Sequence, residues 1–88
     1  MNHDNIKFTL SNGALFSVVS IYGRKECAVL QGDDFVDTAE WCSPHNDDDM
    51  IVRLSGDGDD FLEILSRAIK WANKQKSSRL AEALDQAL

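Results

Sequence analysis

Residues 56–73, GDGDDFLEILSRAIKWAN, decide the fold, because their spacing, acidic start and charge order all predict one amphipathic helix. At about 100° of rotation per residue, the apolar positions form a stripe broad enough to pack on a sheet. On the opposite, solvated side Glu63 precedes Arg67 by four residues, which is the favourable order for an ion pair. We therefore predict a main helix over residues 57–74.

The chain upstream of this helix has the pattern of strands. Residues 5–10, NIKFTL, alternate apolar and polar side chains, as a half-buried strand does. The dipeptide Asn12-Gly13 follows, and between two apolar runs it predicts a tight hairpin, because both residues tolerate a positive φ. We expect a two-residue loop, which places Leu10 opposite Leu15.

That register assigns every side chain of the hairpin to one of two faces. Phe16, Val18 and Tyr22 then lie on the face opposite to Leu10. Such an apolar face is unfavourable in water, so we expect either a later segment or a partner molecule to cover it.

A third strand over residues 26–30 is expected after a turn at residues 23–25. A two-residue turn would place Glu26 opposite Ile21 and bury a carboxylate without a partner, which is costly. We therefore favour a three-residue turn, which places Cys27 there instead.

Together these segments predict one α+β domain over residues 1–88, with an antiparallel three- to four-stranded meander sheet packed by one long amphipathic helix. The expected parts are a β-meander over 5–30, a long acidic loop over 31–49, a strand over 50–55, the main helix over 57–74 and a C-terminal helical extension over 78–88. No Gly or Pro separates the two helices, so one continuous helix from about Asp59 to Ala87 stays open.

The C-terminal helix is expected to begin at Ser78, whose hydroxyl is a good N-cap. Its Leu80, Leu84, Ala87 and Leu88 share one stripe. Because a ten-residue helix is marginal in water, this stripe needs a surface to cover it, either its own domain or a second copy of the chain. A homodimer through this helix is the alternative function, with a structural or assembly role.

The composition is that of a globular chain without a membrane or export signal. Its 88 residues are 43% hydrophobic and 27% charged, which is typical of one folded domain. No apolar run approaches the roughly 18 residues of a membrane span, and the N-terminus lacks a signal-peptide pattern. We expect a cytoplasmic protein with no membrane contact, whose Cys27 and Cys42 are free thiols.

The sequence contains no clear enzyme or metal signature. It has no phosphate-binding glycine loop, no nucleophile elbow and no pair of histidines at metal spacing. A calcium loop beginning at Asp57 would need Glu at its twelfth position, which is Ala68. Cys42 and His45 have zinc-like spacing, but a structural zinc needs four ligands, and only Cys27 and His3 remain to complete the set. We expect no catalytic residue, no metal and no cofactor.

A basic cluster follows the middle of the main helix. Its members are Arg67, Lys70, Lys74, Lys76 and Arg79. Such a cluster could meet phosphates, but the net charge of −6 repels nucleic acid, and cations late in a helix already favour its dipole. Direct nucleic-acid binding is therefore not expected.

The most unusual feature is the acidic middle of the chain. Residues 33–63 hold eleven acidic side chains against a single basic one, Arg53. Concentrated negative charge speeds encounter with a basic partner, although a solvated loop that keeps the protein soluble has the same composition. We expect Phe35 and Trp41 to be exposed and to anchor such a partner. The candidate partner-binding residues are Asp33, Asp34, Phe35, Asp37, Glu40, Trp41, Asp47, Asp48, Asp49, Asp57, Asp59 and Asp60.

The short acidic chain, its Asn12-Gly13 hairpin meander, its acidic-capped helix and its lack of catalytic motifs resemble small bacteriophage-encoded proteins of the anti-CRISPR and anti-restriction inhibitor type. The resemblance concerns the general layout. It implies a non-enzymatic protein-binding module that acts in the bacterial host cytoplasm as a stoichiometric inhibitor or regulator of a nucleic-acid-handling host protein. The basic cluster departs from the uniformly acidic surface of a DNA mimic.

Overall fold

The structure, a computed structural model, is an antiparallel sheet with one long helix packed across it. It describes residues 4–21, 23–43, 49–54 and 58–87. The elements are β1 (Asp4–Thr9), β2 (Leu15–Ile21), β3 (Arg24–Gln31), β4 (Asp34–Phe35), α1 (Thr38–Trp41), β5 (Val52–Arg53) and α2 (Gly58–Ala87). Strands β1 to β4 form a meander in sequence order, and β5 pairs with β3. The predicted α+β fold class, with a meander sheet and a long helix, is therefore confirmed.

The first hairpin has a different register from the predicted one. Thr9, and not Leu10, lies opposite Leu15, and the loop between Leu10 and Ala14 has three residues. The amide of Gly13 donates to the Leu10 carbonyl at 2.9 Å, and the Leu10 amide donates to the Ala14 carbonyl at 2.7 Å. Gly13 has a φ of +88°, so a turn followed by a left-handed residue adds one residue to the loop.

A shift of one residue exchanges the two faces of the hairpin, because side chains alternate along a strand. Phe16 and Val18 therefore lie on the same face as Leu10, and helix α2 covers them. The predicted face assignment was wrong. Of the two expected covers, a later segment and a partner molecule, a later segment is observed over Phe16 and Val18, and Tyr22 lies outside the described residues. The face left uncovered carries Leu15 and Val19 instead.

The second turn is also tighter than predicted. Ile21 lies opposite Arg24, so Arg24 belongs to β3 rather than to the turn, and Gly23 has a φ of +80°. Glu26 lies opposite Val19 on the uncovered face, where its carboxylate meets the Arg53 guanidinium at 3.4 Å. The desolvation cost that argued against a short turn does not arise, because the Glu26 side chain keeps 22% of its area exposed and its carboxylate pairs with Arg53.

Segment 31–49, which was expected to be a loop, contains two short elements in its described part. Gly32, with a φ of +63°, closes a two-residue turn that pairs Asp34 with Gln31 and starts β4. The Val36 amide then donates to the Val29 carbonyl at 2.8 Å, and α1 follows. These contacts hold the segment along the edge of the sheet.

Helix α2 is one continuous helix of 30 residues, so of the two alternatives the unbroken helix is observed and Ser78 lies in its interior. Ile64, Ala68 and Ala72 recur every fourth residue, are fully buried and pack on the sheet. The predicted apolar stripe is broader than the buried face, because Leu62 and Ile69 stay 61% and 43% exposed. The elongated shape, 54 × 25 × 20 Å, follows from this helix.

Candidate protein-binding surface

The acidic surface consists of the described, exposed carboxylates of segment 33–49. They are Asp33, Asp34, Asp37, Glu40 and Asp49. Asp47, Asp48 and Asp57 lie outside the described residues, as does the side chain of Asp59, although its backbone is in α2. Asp60 is half-buried at the start of α2 and has an interaction partner, so it is not part of this surface.

Local backbone geometry positions these carboxylates. Asp33 occupies the two-residue turn after Gly32, and Asp34 is held in β4 by its pairing with Gln31. Asp37 is the N-cap of α1, because its Oδ1 accepts from the Ala39 amide at 2.8 Å. The capping role is a structural reason for one of the acids, whereas the carboxylates of Asp33 and Asp34 are free to meet a partner.

The carbonyl of Asp49 joins the far end of the acidic surface to α1. It accepts from the Thr38 amide at 2.9 Å, so the chain returns to the start of α1 after residues 44–48. Asp37 and Asp49 therefore flank the same point of the fold. Folding gathers acids that are twelve residues apart into one neighbourhood, which the sequence pattern alone does not require.

The two proposed aromatic anchors differ in exposure. Phe35 is 48% exposed, as expected for an anchor. Trp41 is only 2% exposed, so the expectation that it is an exposed anchor was wrong. Its ring packs edge-on against Phe16, with centroids 5.9 Å apart and planes at 87°, and the large buried aromatic area stabilises the core. Its indole Nε1 has no hydrogen-bond partner among the described residues.

Phe35 also lines an apolar groove that the sequence analysis missed. Because Phe35 pairs with Leu30, both side chains lie on the face of the sheet that α2 does not cover. Together with Val19 and Ile51 they line a groove of about 290 Å³, beside the buried Ser17 hydroxyl. The Gly32-Asp33 dipeptide was the available signal for this hairpin, because Gly-Asp between apolar runs favours a two-residue turn.

The acidic surface is not uniformly negative. Glu40 borders a cleft of about 510 Å³ between α1 and α2, together with Glu63, Arg67 and Lys70. The Arg67 guanidinium donates to Glu63 at 2.7 Å, as the four-residue spacing predicted, and to the Ser43 carbonyl at 2.8 Å. The hydrogen bond to Glu63 raises the pKa of Arg67 above its ordinary value. Two cations thus border the acids on the side of the helix.

The two thiols lie in the core. Cys27 and Cys42 are free and fully buried, as the expectation of free thiols requires. Burial, with smaller contributions from nearby Cys42 and Asp60, raises the pKa of Cys27 to about 12. Cys27 is therefore a neutral thiol at physiological pH, and a neutral thiol is a poor nucleophile and a poor metal ligand.

The part of the chain that the structure describes contains no cluster of three or more His, Cys, Asp or Glu side chains that could hold a metal ion. His45 of the zinc-like pair lies outside the described residues, as does Asp57, where a calcium loop would begin. No helix among the described residues is both long and apolar enough to cross a membrane.

Comparison of the chain with protein-family models, with curated proteins and with solved structures found no match.

Proposed function

We propose that the protein is a non-enzymatic binding module, and that it inhibits or regulates a nucleic-acid-handling protein by occupying that protein's basic surface. The observation that carries the proposal is Phe35, a half-exposed aromatic ring that follows Asp33 and Asp34 directly and lines the apolar groove of the sheet. Negative charge and an apolar anchor thus lie at the same edge of the sheet, with Phe35 on the uncovered face and Asp34, which pairs with Gln31, on the opposite face. Interfaces of this kind combine electrostatic steering with one buried aromatic anchor.

The shape and charge of the surface also limit the kind of partner. The exposed acids follow a β-turn and one short helix, and the cations Arg67 and Lys70 border them at the cleft. A partner that grips a complete DNA duplex would meet these cations unfavourably. The surface fits a local basic patch better than it fits a long nucleic-acid channel.

The test begins with a pull-down from bacterial lysate, using the tagged protein and washing at low and at high salt. We expect a nuclease, polymerase or CRISPR component to be retained at low salt and lost at high salt, because exposed charges are screened. Its binding constant is then measured against variants. Asp33→Asn with Asp34→Asn is expected to weaken binding about tenfold at low salt, and Phe35→Ala about tenfold at any salt.

The matched control is Glu82→Gln with Asp85→Asn, which removes the same number of carboxylates from α2, far along the chain from the acidic surface. Its binding should equal that of the unchanged protein. Changing Asp47, Asp48 and Asp49 together to Asn tests the remainder of segment 33–49. If both acidic variants and Phe35→Ala bind as tightly as the control, with no dependence on salt, the acidic surface is not the binding site.

A further inference from the structure

The cleft between α1 and α2 is bordered by two buried donors without an acceptor. Among the residues that the structure describes, two buried side-chain nitrogens have no hydrogen-bond partner, Nε1 of Trp41 and Nε of Arg67. Both residues line this cleft of about 510 Å³. Buried polar groups are nearly always hydrogen-bonded, and an exception is typical of a place where another group binds. Two exceptions at one cleft therefore indicate a binding site.

Trp41 is the more constrained of the two residues. It is 2% exposed, and its indole N–H can only donate. The ring is fixed by its place in α1 and by its edge-on contact with Phe16, so it cannot turn toward an acceptor elsewhere. The core cluster around Phe16 is apolar. The cleft is thus the side from which an acceptor can reach the nitrogen.

Arg67 forms a wall of the cleft and uses only some of its five N–H donors. Its Nη1 donates to the Ser43 carbonyl at 2.8 Å, and its Nη2 donates to Glu63 at 2.7 Å. The Nε–H is not used, and burial keeps solvent away from it. The side chain as a whole keeps 28% of its area exposed, so it lies at the surface and can shift to admit a ligand oxygen.

The charges around the cleft select the kind of acceptor. Lys70 lines the cleft and has no ion pair within the described chain, so its ammonium favours an acceptor with negative charge. Glu63 is neutralised by Arg67, whereas Glu40 at the rim repels any excess of negative charge. A single charge balances Lys70. A carboxylate therefore fits better than a phosphate monoester, which carries about −1.5 to −2 charges at pH 7.

We propose that this cleft binds a small molecule through a carboxylate group. One carboxylate oxygen accepts from Trp41 Nε1–H and from Arg67 Nε–H, and the other pairs with the Lys70 ammonium. The cleft volume lies within the range of about 300–1,000 Å³ that is usual for small-molecule sites, so there is room for the rest of the ligand. Ser43 and Ser66 line the remaining wall and offer hydroxyl groups to it.

The site goes beyond the proposed function and does not rest on it. Glu40 is the one described residue that the cleft shares with the acidic surface, and Phe35 lines a different groove on the uncovered face of the sheet. Failure of either proposal leaves the other standing.

Titration with sodium acetate, followed by the indole N–H signals in a ¹H–¹⁵N correlation spectrum, tests the proposal. The two indole signals are assigned with Trp71→Phe. Acetate should move the Trp41 signal along a saturable curve with its midpoint at about 1–10 mM, as expected for so small a ligand. Sodium chloride at the same ionic strength should not move it, and methyl phosphate should bind about threefold or more weakly than acetate.

Variants then identify the groups that hold the carboxylate. Lys70→Gln should weaken acetate binding about tenfold, because a charge-assisted hydrogen bond is lost. The matched control is Lys74→Gln, which removes an exposed cation one turn further along α2 and outside the cleft, and it should change binding less than about twofold. Arg67→Lys keeps the charge but removes the Nε donor and should also weaken binding about tenfold. Glu40→Gln should strengthen it about threefold, because a repelling carboxylate is removed.

The decisive variant is Lys70→Gln, because Lys70 is exposed and its replacement leaves the fold intact, as far-ultraviolet circular dichroism should verify. Equal binding of acetate by Lys70→Gln and Lys74→Gln would overturn the proposal, as would a Trp41 signal that moves equally with acetate and with chloride. Tighter binding of methyl phosphate than of acetate would overturn the assignment to a carboxylate.

Discussion

The two halves of α2 share a helical sequence pattern but differ in what surrounds them. The first half, up to Gln75, places Ile64, Ala68 and Ala72 against the sheet with no exposed area. The second half, residues 76–87, has two leucines on one stripe and no described side chain that is even half-buried. Apolar content alone therefore does not decide which part of a helix is buried.

The reason for the difference is length. The longest strand, β3, has eight residues and spans about 26 Å, whereas the 30 residues of α2 span about 45 Å. The helix continues beyond the last point at which the sheet can touch it. We conclude that the first half is held by packing, and that the second half depends on helix propensity and on whatever else binds its stripe.

Proline substitutions should show the largest difference in stability between the two halves of α2. Lys70→Pro and Arg79→Pro each remove one exposed cation and introduce a helix break that costs about 3 kcal/mol or more. Lys70→Pro breaks the packed half and should unfold much of the population, since a whole domain has only roughly 5–15 kcal/mol of stability. Arg79→Pro should only melt the projecting half. Urea unfolding followed by tryptophan fluorescence reports the packed half, because Trp71 lies in that half and Trp41 of α1 belongs to the core on which it packs.

The same two variants also test whether the two halves of α2 unfold independently. Far-ultraviolet circular dichroism should show a loss of helix in Arg79→Pro without a change in the urea midpoint. An equal fall in midpoint for both variants would mean that the projecting half belongs to the same cooperative unit as the sheet.

Truncation of one apolar side chain in each half should give a smaller contrast. Ile64→Ala removes a fully buried side chain and should lower the free energy of unfolding by about 2–5 kcal/mol. Leu84→Ala removes one that is 64% exposed and should change it by less than about 0.5 kcal/mol in dilute solution. Urea denaturation at low protein concentration measures both. Similar losses from the two substitutions would show that Leu84 is packed in the monomer.

Substitution at the boundary between the two halves of α2 should give the smallest difference in stability between a variant and its control. Gln75 accepts hydrogen bonds from Asn12 and from Gln31, so it joins the helix to the first loop and to the last residue of β3. Gln75→Ala should lower the free energy of unfolding by about 1–2 kcal/mol, because it leaves part-buried amides without a partner. Gln86→Ala is the control, with no expected change, since that side chain is exposed. Amide hydrogen exchange should also show that fraying of the helix reaches further toward Ala72 in Gln75→Ala than in Gln86→Ala. Equal protection in the two variants would show that Gln75 does not hold the helix at this point.

Much of the fold could be predicted from short-range patterns. The alternation of residues 5–10, the turn at Asn12-Gly13 and the helical spacing after Asp59 each act within a few residues, and all three elements are observed. The ion pair between Glu63 and Arg67 follows from helical geometry in the same way. These predictions succeed because turn preference and side-chain periodicity are local properties.

Register could not be predicted with the same success. The left-handed conformation of Gly13 adds one residue to the first loop and reverses which side of β2 is buried. Glu26 was assumed to be unpaired, whereas Arg53, 27 residues later, meets it on the uncovered face. Both errors have one cause, because the partner of a strand residue depends on loop geometry and on segments far along the chain.

The candidate site likewise has features that the sequence predicted and features that depend on distant segments. An acidic segment with aromatic residues could be identified from composition, and Phe35 is exposed as expected. Trp41 differs from Phe35 because α1 turns its ring toward Phe16, a contact between residues 25 positions apart. The apolar groove beside Phe35 appears only when strands β1 to β4 and Ile51, the residue before β5, are brought together.

The sequence by itself therefore determined the elements: a hairpin, a meander, a long amphipathic helix and an acidic segment between them. Only the tertiary structure decided which face of the hairpin is buried, that Trp41 belongs to the core, and where α2 runs beyond the sheet. The physical reason is that periodicity and turn preference depend on neighbouring residues, whereas burial depends on which distant elements come within reach of each side chain.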